Sequence, residues 1–338
     1  MQKTPPVIDV HSHVLPQPMV EAIRAQPRAF GMTVSGSGDA QTIRRDDGHG
    51  SPLHPEFHLV AAKLEAMDRK GIDVSYLSVT PVVFFYWLAP DAGLAAARVL
   101  NDGIAAMVAE NPARLRGMAT LPMQDVDAAV AELERAVREH GFRAIELGCR
   151  IKGELLSEAK FEPVLARAAE LGCAVFAHPY IAGELAHDLE CYYLGNTHGL
   201  PFDTALMAVH LMLGGALDRM PSLNMILAHG GGHLPYQYGR LEHGYRVRPE
   251  ARRFTANSPE RLLRRFHFDA LTHDVESLRF LIRRVGADRV MIGTDAPFDM
   301  AELDPLGRLA AVSELSRAER DRILGENAIA LLGEVGRQ

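Results

Sequence analysis

The stretch that decides the fold is Ile8-Asp9-Val10-His11-Ser12-His13, an apolar strand pattern that ends in two histidines. Residues two apart on a strand point to the same side, so His11 and His13 are predicted to face one way. The same arrangement recurs in Phe176-Ala177-His178, Leu227-Ala228-His229 and Gly293-Thr294-Asp295. In each case a short run of strand-type residues gives way to a side chain that can bind a metal ion.

Eight short β-branched runs alternate with helical patterns along the chain. The runs lie at residues 7–10, 74–79, 115–121, 143–147, 173–177, 224–228, 266–271 and 289–292. Amphipathic patterns lie between most of them, at residues 57–70, 91–111, 126–140, 160–171, 204–219 and 275–285. This alternation predicts an α/β fold, a (β/α)8 TIM barrel that forms a single domain over residues 1–338. A doubly wound open sheet competes, but it needs an early glycine-rich phosphate turn, which the sequence lacks.

Two connections are too long to be simple turns. Residues 15–56 follow the first predicted strand, and residues 180–203 follow the fifth. Both leave the carboxyl end of a strand, where barrel enzymes build their sites, so we expect them to cover a substrate. The arginine- and tyrosine-rich segment 236–260 is a third candidate loop. The aromatic run at residues 84–87 is interpreted as core or dimer contact rather than as a pocket wall.

Charge and composition exclude several classes of protein. The 36 Lys+Arg and 43 Asp+Glu residues give a net charge of −7, which offers no general attraction to nucleic acid or anionic lipid. The most apolar stretch, residues 74–89, is too short for a membrane span. No secretory signal pattern is visible, and Cys149, Cys173 and Cys191 show no paired spacing. We therefore expect a cytoplasmic protein without nucleic-acid or membrane partners.

The polar residues at the strand ends form the candidate site. In a barrel the carboxyl ends of the strands meet at one rim, so His11, His13, His178, His229 and Asp295 are expected to lie together. Imidazole and carboxylate ligands suit Zn²⁺, Mn²⁺ or Fe²⁺. Other side chains lack this support and are interpreted as packing, surface or supporting residues: His233, His243, His267, His273 and Glu146.

Six motifs in order connect the chain to a known family. They are IDVHSH at 8–13, LEAMDRKGIDV at 64–74, AHP at 177–179, AHGGGHLPYQYGRLEHGYRVR at 228–248, MIGTDAPF at 291–298 and GENAIALLG at 325–333. This set resembles the amidohydrolase superfamily, in its branch of 2-amino-3-carboxymuconate-6-semialdehyde decarboxylase and related non-oxidative decarboxylases. The HxH pair alone is a weak signal, whereas the ordered set with AHGGG and GTDAPF is specific for the branch.

The resemblance implies roles for individual residues. Four of them match the metal ligands of the branch, where the metal is usually zinc and sometimes manganese: His11, His13, His178 and Asp295. His229 matches a histidine with an acid/base role, and Asp295 is the alternative proton donor. Arg248 matches an arginine that enters the neighbouring subunit's site and holds the substrate carboxylate, which implies a homodimer.

One position departs from the pattern of the semialdehyde decarboxylase. That enzyme has another substrate-binding arginine in the loop after strand one, and counting back without gaps from LEAMDRKGIDV puts its position near Ser51. Arg44 and Arg45 lie upstream and could substitute only if the loop shifts. The identity of the acid therefore stays open, whereas the chemistry does not depend on it.

The sequence favours a metal-dependent non-oxidative decarboxylase of an unsaturated or aromatic carboxylic acid, with one divalent ion. The alternative is a metal-dependent hydrolase or hydratase, in which an activated water attacks a carbonyl or adds to a double bond. A lysine at the end of strand four would favour a two-metal hydrolase, but that strand reads Arg143-Ala144-Ile145-Glu146-Leu147. A non-catalytic scaffold would have no use for five convergent residues of this kind.

Overall fold

The computed structural model describes residues 5–180 and 187–333. Its main sheet has eight parallel strands, and each strand pairs with the next one along the chain. They are β1 to β8, at Ile8–Val14, Val74–Val79, Leu115–Ala119, Ala144–Gly148, Ala174–His178, Met225–Leu227, Phe266–Asp269 and Val290–Met291. The ring closes where the backbone N–H of Val10 donates to the Ile292 carbonyl at 3.0 Å. The predicted (β/α)8 barrel is confirmed.

Helices cover the outside of the barrel. The main ones are α1 to α9, at Gln17–Ala25, Val60–Lys70, Pro90–Glu110, Val126–His140, Glu162–Glu170, Leu200–Leu213, Leu234–Val247, Val275–Val285 and Asn327–Leu332. Shorter helices lie at Pro27–Phe30, Ala216–Arg219, Pro259–Leu263, Pro305–Ala310 and Arg317–Asp321. The prediction of one helix over residues 204–219 is wrong. Gly215 breaks it with a φ of +75°, and a side chain there would meet the Phe254 carbonyl.

Helix α3 is the one described helix that is long and apolar enough to cross a membrane by length and composition, with a mean hydropathy of 1.3. It packs on β3 and α4 as a barrel helix. The Asn101 amide on its buried face donates to the Thr120 carbonyl at 3.0 Å and accepts from the Thr120 N–H at 2.9 Å. Because this side chain takes both backbone groups of Thr120, β3 ends at Ala119, two residues before its predicted bound.

A bulge in β1 directs both histidines into the barrel. The pairing with β2 shifts between Asp9 and Ser12, where three steps along β1 oppose two along β2. The extra residue reverses the alternation of sides, so Val10 faces the barrel interior before the bulge, and His11 and His13 face it afterwards. Alternation alone predicted their common direction, and the bulge turns that direction inwards.

The amino-terminal half of the barrel is filled with apolar side chains. These include Ile8, Val10, Tyr76, Met118, Phe176, Ile226 and Met291, and helix α9 covers this end with Ala328 and Leu332. The aromatic run after β2 packs in the core between barrel and helices, as interpreted from sequence. Phe84, Phe85 and Tyr86 are buried, and the Tyr86 hydroxyl accepts from the N–H of Gly148 at 3.0 Å.

The first long connection is an ordered subdomain rather than an irregular loop. After α1 it forms an antiparallel sheet of three strands, Met32–Ser35, Thr42–Arg45 and Gly50–Pro52. In the second long connection, residues 181–186 lie outside the described part of the chain, and a π-helical turn at Gly195–Gly199 leads into α6. The third predicted loop is wrong, because α7 occupies its first half and buries Tyr238.

Candidate metal centre and substrate cavity

Four predicted ligands converge at the carboxyl end of the barrel. His11 and His13 lie after the bulge in β1, His178 ends β5, and Asp295 follows β8. Each offers one ligand atom, and these four atoms all lie within 4.8 Å of one another. The two β1 histidines are fully buried, and His178 and Asp295 are 4% and 6% exposed. The strand ends therefore gather three imidazoles and one carboxylate in a nearly dry space.

Hydrogen bonds on the far side of two rings fix which nitrogen faces the centre. His11 Nδ1 lies 2.6 Å from Asp269 Oδ2, and His13 Nδ1 lies 2.9 Å from the Val79 carbonyl. Both partners are acceptors, so Nδ1 carries the proton and Nε2 presents a lone pair. The two Nε2 atoms lie 3.1 Å apart, and Asp295 Oδ1 lies 3.3 Å and 3.1 Å from them. Lone pairs at these separations repel one another unless a cation lies among them.

The electrostatics of the cluster favour a positive charge at its centre. Burial opposes the charged form of His11, but the carboxylates of Asp295 and Asp269 raise the pKa of His11 to about 10, so without a metal ion its Nε2 also holds a proton, which a bound ion would displace. Burial would raise the pKa of Asp295, yet the neighbouring histidines hold it well below its usual range. Burial and the other histidines lower the pKa of His178, which leaves its ring neutral. Neutral imidazole and ionised carboxylate are the forms that bind a metal ion.

The unsatisfied atoms of the cluster fit a divalent cation. Among the described residues, neither ring nitrogen of His178 has a hydrogen-bond partner, and neither does Asp295 Oδ1. Buried polar atoms without partners are costly, and a metal ion bound here would satisfy Asp295 Oδ1 and one ring nitrogen of His178. Three histidines and one aspartate leave further coordination positions open, as catalytic sites require.

Asp269 is a functional residue that the sequence analysis missed. Besides His11, its carboxylate accepts the backbone N–H of His229 at 2.9 Å and that of Gly230 at 2.7 Å. It therefore orients one metal ligand and holds the turn after β6 at the same time. The signal was present, because β7 reads Phe-His-Phe-Asp and ends in a carboxylate like the other strands of the site.

We expect Asp269→Asn to weaken metal binding about 10–100-fold, because an amide is a poorer acceptor for His11 and its NH₂ opposes two backbone donors. Titration of the metal-free protein with Mn²⁺ measures the dissociation constant. Asp127→Asn, an exposed aspartate in α4, is the matched control and should bind manganese like the wild type. Equal affinity of the Asp269→Asn variant and this control would contradict the assigned role.

His229 lies beside the four ligands on a strained turn. Its Nε2 lies 3.5 Å from Asp295 Oδ2, its Nδ1 has no described partner, and its side chain is 17% exposed. Its φ is +56°, a conformation that costs a non-glycine residue about 1–3 kcal/mol. Gly232 ends the turn with a φ of +63°, and a Cβ there would strike the Pro201 carbonyl. The turn thus places one imidazole at the opening of the cluster.

Glu146 faces the site from below. It is fully buried in β4, with Oε1 at 3.7 Å from His13 Nδ1, and its oxygens have no hydrogen-bond partner in the part of the chain described. Burial raises the pKa of its carboxyl well above the usual range, which favours the protonated form. It lies on the Nδ1 side of His13 and away from the ligand atoms, which separates it from the metal centre.

A cavity of about 620 Å³ opens onto the cluster. His178, His229 and Asp295 line its floor, and four aromatic rings line its walls: Phe57, Tyr180, Tyr193 and Phe298. Arg45 is the only lysine or arginine among its described lining residues. A second cavity of about 830 Å³ adjoins it across His229 and Asp295, towards α8. The first cavity combines the metal centre, aromatic walls and a guanidinium, which suits an aromatic anion.

Arg248 lies outside this site in its own chain. It follows α7, its side chain is 67% exposed, and its guanidinium pairs with Glu250. Among the described residues, none of the other histidines named from the sequence belongs to the metal-binding cluster. His267 is buried in β7 and His243 is exposed, whereas His273 lines the second cavity.

The fold and the site together define a metal-dependent barrel enzyme whose ligands come from β1, β5 and β8. A family model described as amidohydrolase matches residues 8–333, and the chain belongs to this family. Within the family it belongs to the branch of the 2-amino-3-carboxymuconate-6-semialdehyde decarboxylase-like carboxy-lyases. The recognition made from the sequence motifs is confirmed.

Curated relatives in this branch are decarboxylases. A 2-amino-3-carboxymuconate-6-semialdehyde decarboxylase of Dictyostelium discoideum is 36% identical over 273 residues, which are 80% of this chain and 76% of that protein. A gamma-resorcylate decarboxylase of a Rhizobium species is 31% identical over 298 residues, 81% of this chain and 87% of that protein. These relatives do not favour the hydrolase or hydratase alternative.

A solved structure shares the fold. It is a 5-carboxyvanillate decarboxylase from Novosphingobium aromaticivorans complexed with manganese and 4-hydroxy-3-methoxy-5-nitrobenzoic acid. The TM-score is 0.84 at 21% identity, with 98% of this chain and 97% of that chain covered.

Proposed function

We propose that this chain removes carbon dioxide from an aromatic carboxylic acid without oxidation, with the help of one divalent metal ion. The single observation that carries the proposal is that Arg45, His178, His229 and Asp295 line one cavity together with aromatic rings. An acid held there has its anionic end and its conjugated ring within one enclosure. The decarboxylases among the relatives support the same chemistry.

The metal centre would be held by His11, His13, His178 and Asp295. Zinc is our first candidate and manganese the second, since both accept imidazole and carboxylate ligands. When bound, such an ion supplies Lewis-acid polarisation of a substrate oxygen. The chain supplies the remaining functions, which are to hold the acid, to exclude water and to deliver a proton.

Arg45 is the residue of this chain that we assign to the substrate. Its guanidinium lies 4.1 Å from the ring centroid of Trp87 and 2.6 Å from Asp47 Oδ2, so it is oriented before any substrate binds. Ser51, where counting along the chain put the arginine of the branch, lies on the adjacent strand and lines the same cavity. Arg44 points away and donates to the Gly48 carbonyl. Because the strands of Arg45 and Ser51 pair in the antiparallel sheet, Arg45 can bind a substrate in the part of the cavity that Ser51 lines.

Decarboxylation needs one proton for the ring carbon and no oxidant or reductant. A proton first adds to the ring carbon that carries the carboxylate, and His229, at the opening of the cluster, is the group placed to donate it. The bond between that carbon and the carboxyl carbon then breaks, carbon dioxide leaves, and the electron pair of the bond restores the conjugation of the ring. The ionised carboxylate of Asp295, with Oδ2 at 3.5 Å from His229 Nε2, can accept from the imidazole and hold it in position.

The decisive experiment is metal analysis of the purified protein, followed by a screen for carbon-dioxide release from hydroxylated aromatic and unsaturated acids. We expect about one equivalent of a divalent ion and stoichiometric release of carbon dioxide and the decarboxylated product from at least one acid. Methyl esters of the same acids are the control and should not react. Ester or amide hydrolysis without release of carbon dioxide would overturn the proposal.

We also propose that the enzyme is a cytoplasmic homodimer and that Arg248 enters the site of the neighbouring subunit. Its exposed position beyond α7 fits this role, because a guanidinium fork can hold a carboxylate with two parallel hydrogen bonds. Arg248→Ala should raise KM or lower kcat/KM strongly while the metal stays bound. Mixing it with His178→Ala should restore part of the activity through hybrid sites. Full activity of a demonstrably monomeric enzyme would contradict the shared site.

A further inference from the structure

Lys63 is a buried lysine that the reaction does not use. It lies on the inner face of α2, it is 1% exposed, and it is one of the largest fully buried side chains in the described chain. A buried ammonium group is costly unless its three donors find acceptors. The position of those acceptors therefore shows what the side chain holds together.

Two acceptors of Lys63 belong to the metal-ligand strand. Its Nζ lies 3.1 Å from the carbonyl oxygen of His13 and 3.0 Å from Ser12 Oγ. Both groups belong to the end of β1, which directs the imidazole of His13 towards the metal centre. Lys63 thus holds the peptide of a metal ligand.

The remaining acceptor of Lys63 belongs to Glu56, the residue before Phe57, which lines the substrate cavity. Nζ lies 3.3 Å from Oε1 of Glu56, at the end of the long connection whose sheet carries Arg45. A backbone hydrogen bond joins the two ends of this connection as well: the N–H of Leu15 donates to the Phe57 carbonyl at 2.8 Å. Lys63 therefore joins the end of β1 to the last residue of the connection 15–56, whose closure is otherwise entropically costly.

We propose that Lys63 is a positioning residue that couples the metal centre to the wall of the substrate cavity. The ammonium group holds His13 and Glu56 in one arrangement, so binding of an ion by His13 stabilises the ordered form of residues 15–56. By reciprocity, an ordered cavity wall strengthens metal binding. The proposal rests on the proposed function for the identity of the cavity, but its test needs no substrate.

The test measures trypsin cleavage within residues 15–56 with and without Mn²⁺, and the dissociation constant for Mn²⁺. In the wild type, Mn²⁺ should slow cleavage in this segment about 5-fold or more, the range expected for coupled sites. Lys63→Met keeps the length and apolar volume of the side chain and removes its charge. We expect this variant to bind Mn²⁺ about 10-fold more weakly and to lose the dependence of cleavage on Mn²⁺.

Two further variants separate coupling from loss of stability. Glu56→Gln removes the charge from the link to the cavity wall and leaves the bonds of Lys63 to β1, so it should weaken the protection by Mn²⁺ and, by reciprocity, lower the manganese affinity by the same factor. Lys70→Met, at the other end of α2, should behave as the wild type in both measurements. All measurements are made well below the melting midpoint of each variant.

Mn²⁺-dependent protection that survives in Lys63→Met would overturn the coupling, and so would a wild type that shows no such protection. If Lys63→Met proves unfolded, the Glu56→Gln variant decides, since unchanged protection there also refutes the proposal. A failed screen for carbon-dioxide release leaves these outcomes intact, because neither cleavage nor manganese affinity depends on turnover. The two proposals can therefore fail separately.

Discussion

His178→Ala is expected to reduce bound metal to background and activity below detection. His178 is the only ligand candidate from β5, and its ring nitrogens have no partner among the residues described other than the prospective ion. The site is buried and its other ligands are fixed from behind by Asp269 and Val79, so no distant side chain can move in to replace the lost imidazole. Metal content after gel filtration and titration with Mn²⁺ measure the loss.

His210→Ala provides the matched control for this variant. His210 lies on the exposed side of α6, away from the carboxyl ends of the strands, so its loss should change neither metal content nor activity. Stoichiometric metal in purified His178→Ala would show that the assigned ligand set is wrong. Loss of metal in both variants would point to unfolding, which circular dichroism detects.

The barrel and its ligands were accessible to sequence reasoning for one physical reason. Parallel strands are read as short apolar runs, and the residue at the end of each run falls at one rim of the barrel. His11, His178 and Asp295 follow this rule, and the structure brings them together as expected. The rule also applies to Asp269, which ends the run Phe-His-Phe-Asp. The sequence does not indicate whether this carboxylate binds the metal or accepts a hydrogen bond from one of its ligands.

The features that the sequence did not predict depend on pairing between distant segments. A bulge appears only when β1 is set against β2, because each strand looks regular by itself. Lys63 looks like any lysine in an amphipathic helix until His13 and Glu56 are placed around it. Such contacts join residues far apart in the chain, where periodicity carries no information.

The position of Arg45 shows the same limit in the substrate cavity. Counting along the chain assigns the site to Ser51 and leaves Arg45 six residues away. In the antiparallel sheet the strand of Arg45 lies beside that of Ser51, so both residues line one cavity without any shift of the loop. A linear count measures distance along the backbone, whereas recognition of an acid depends on distance through space.

The last prediction concerns His229, whose replacement by alanine should leave the metal bound and lower kcat about 10²–10⁴-fold, the usual worth of general acid–base help. The turn itself should survive, because Asp269 holds the backbone N–H groups of His229 and Gly230 rather than the side chain. Alanine is strained at a φ of +56°, so His229→Asn, which tolerates this conformation, separates strain from chemistry. We expect both variants to lose activity to a similar extent and to keep one equivalent of metal.

The comparison with His178→Ala decides the role of His229. Its Nε2 lies 3.5 Å from Asp295 Oδ2, and its Nδ1 has no partner among the described residues. If His229→Asn loses metal as readily as His178→Ala, the imidazole is a ligand and cannot also be the free proton donor. If the metal stays and kcat falls at unchanged KM, His229 acts after the acid has bound. That result would assign the proton transfer to the one imidazole at the opening of the cluster.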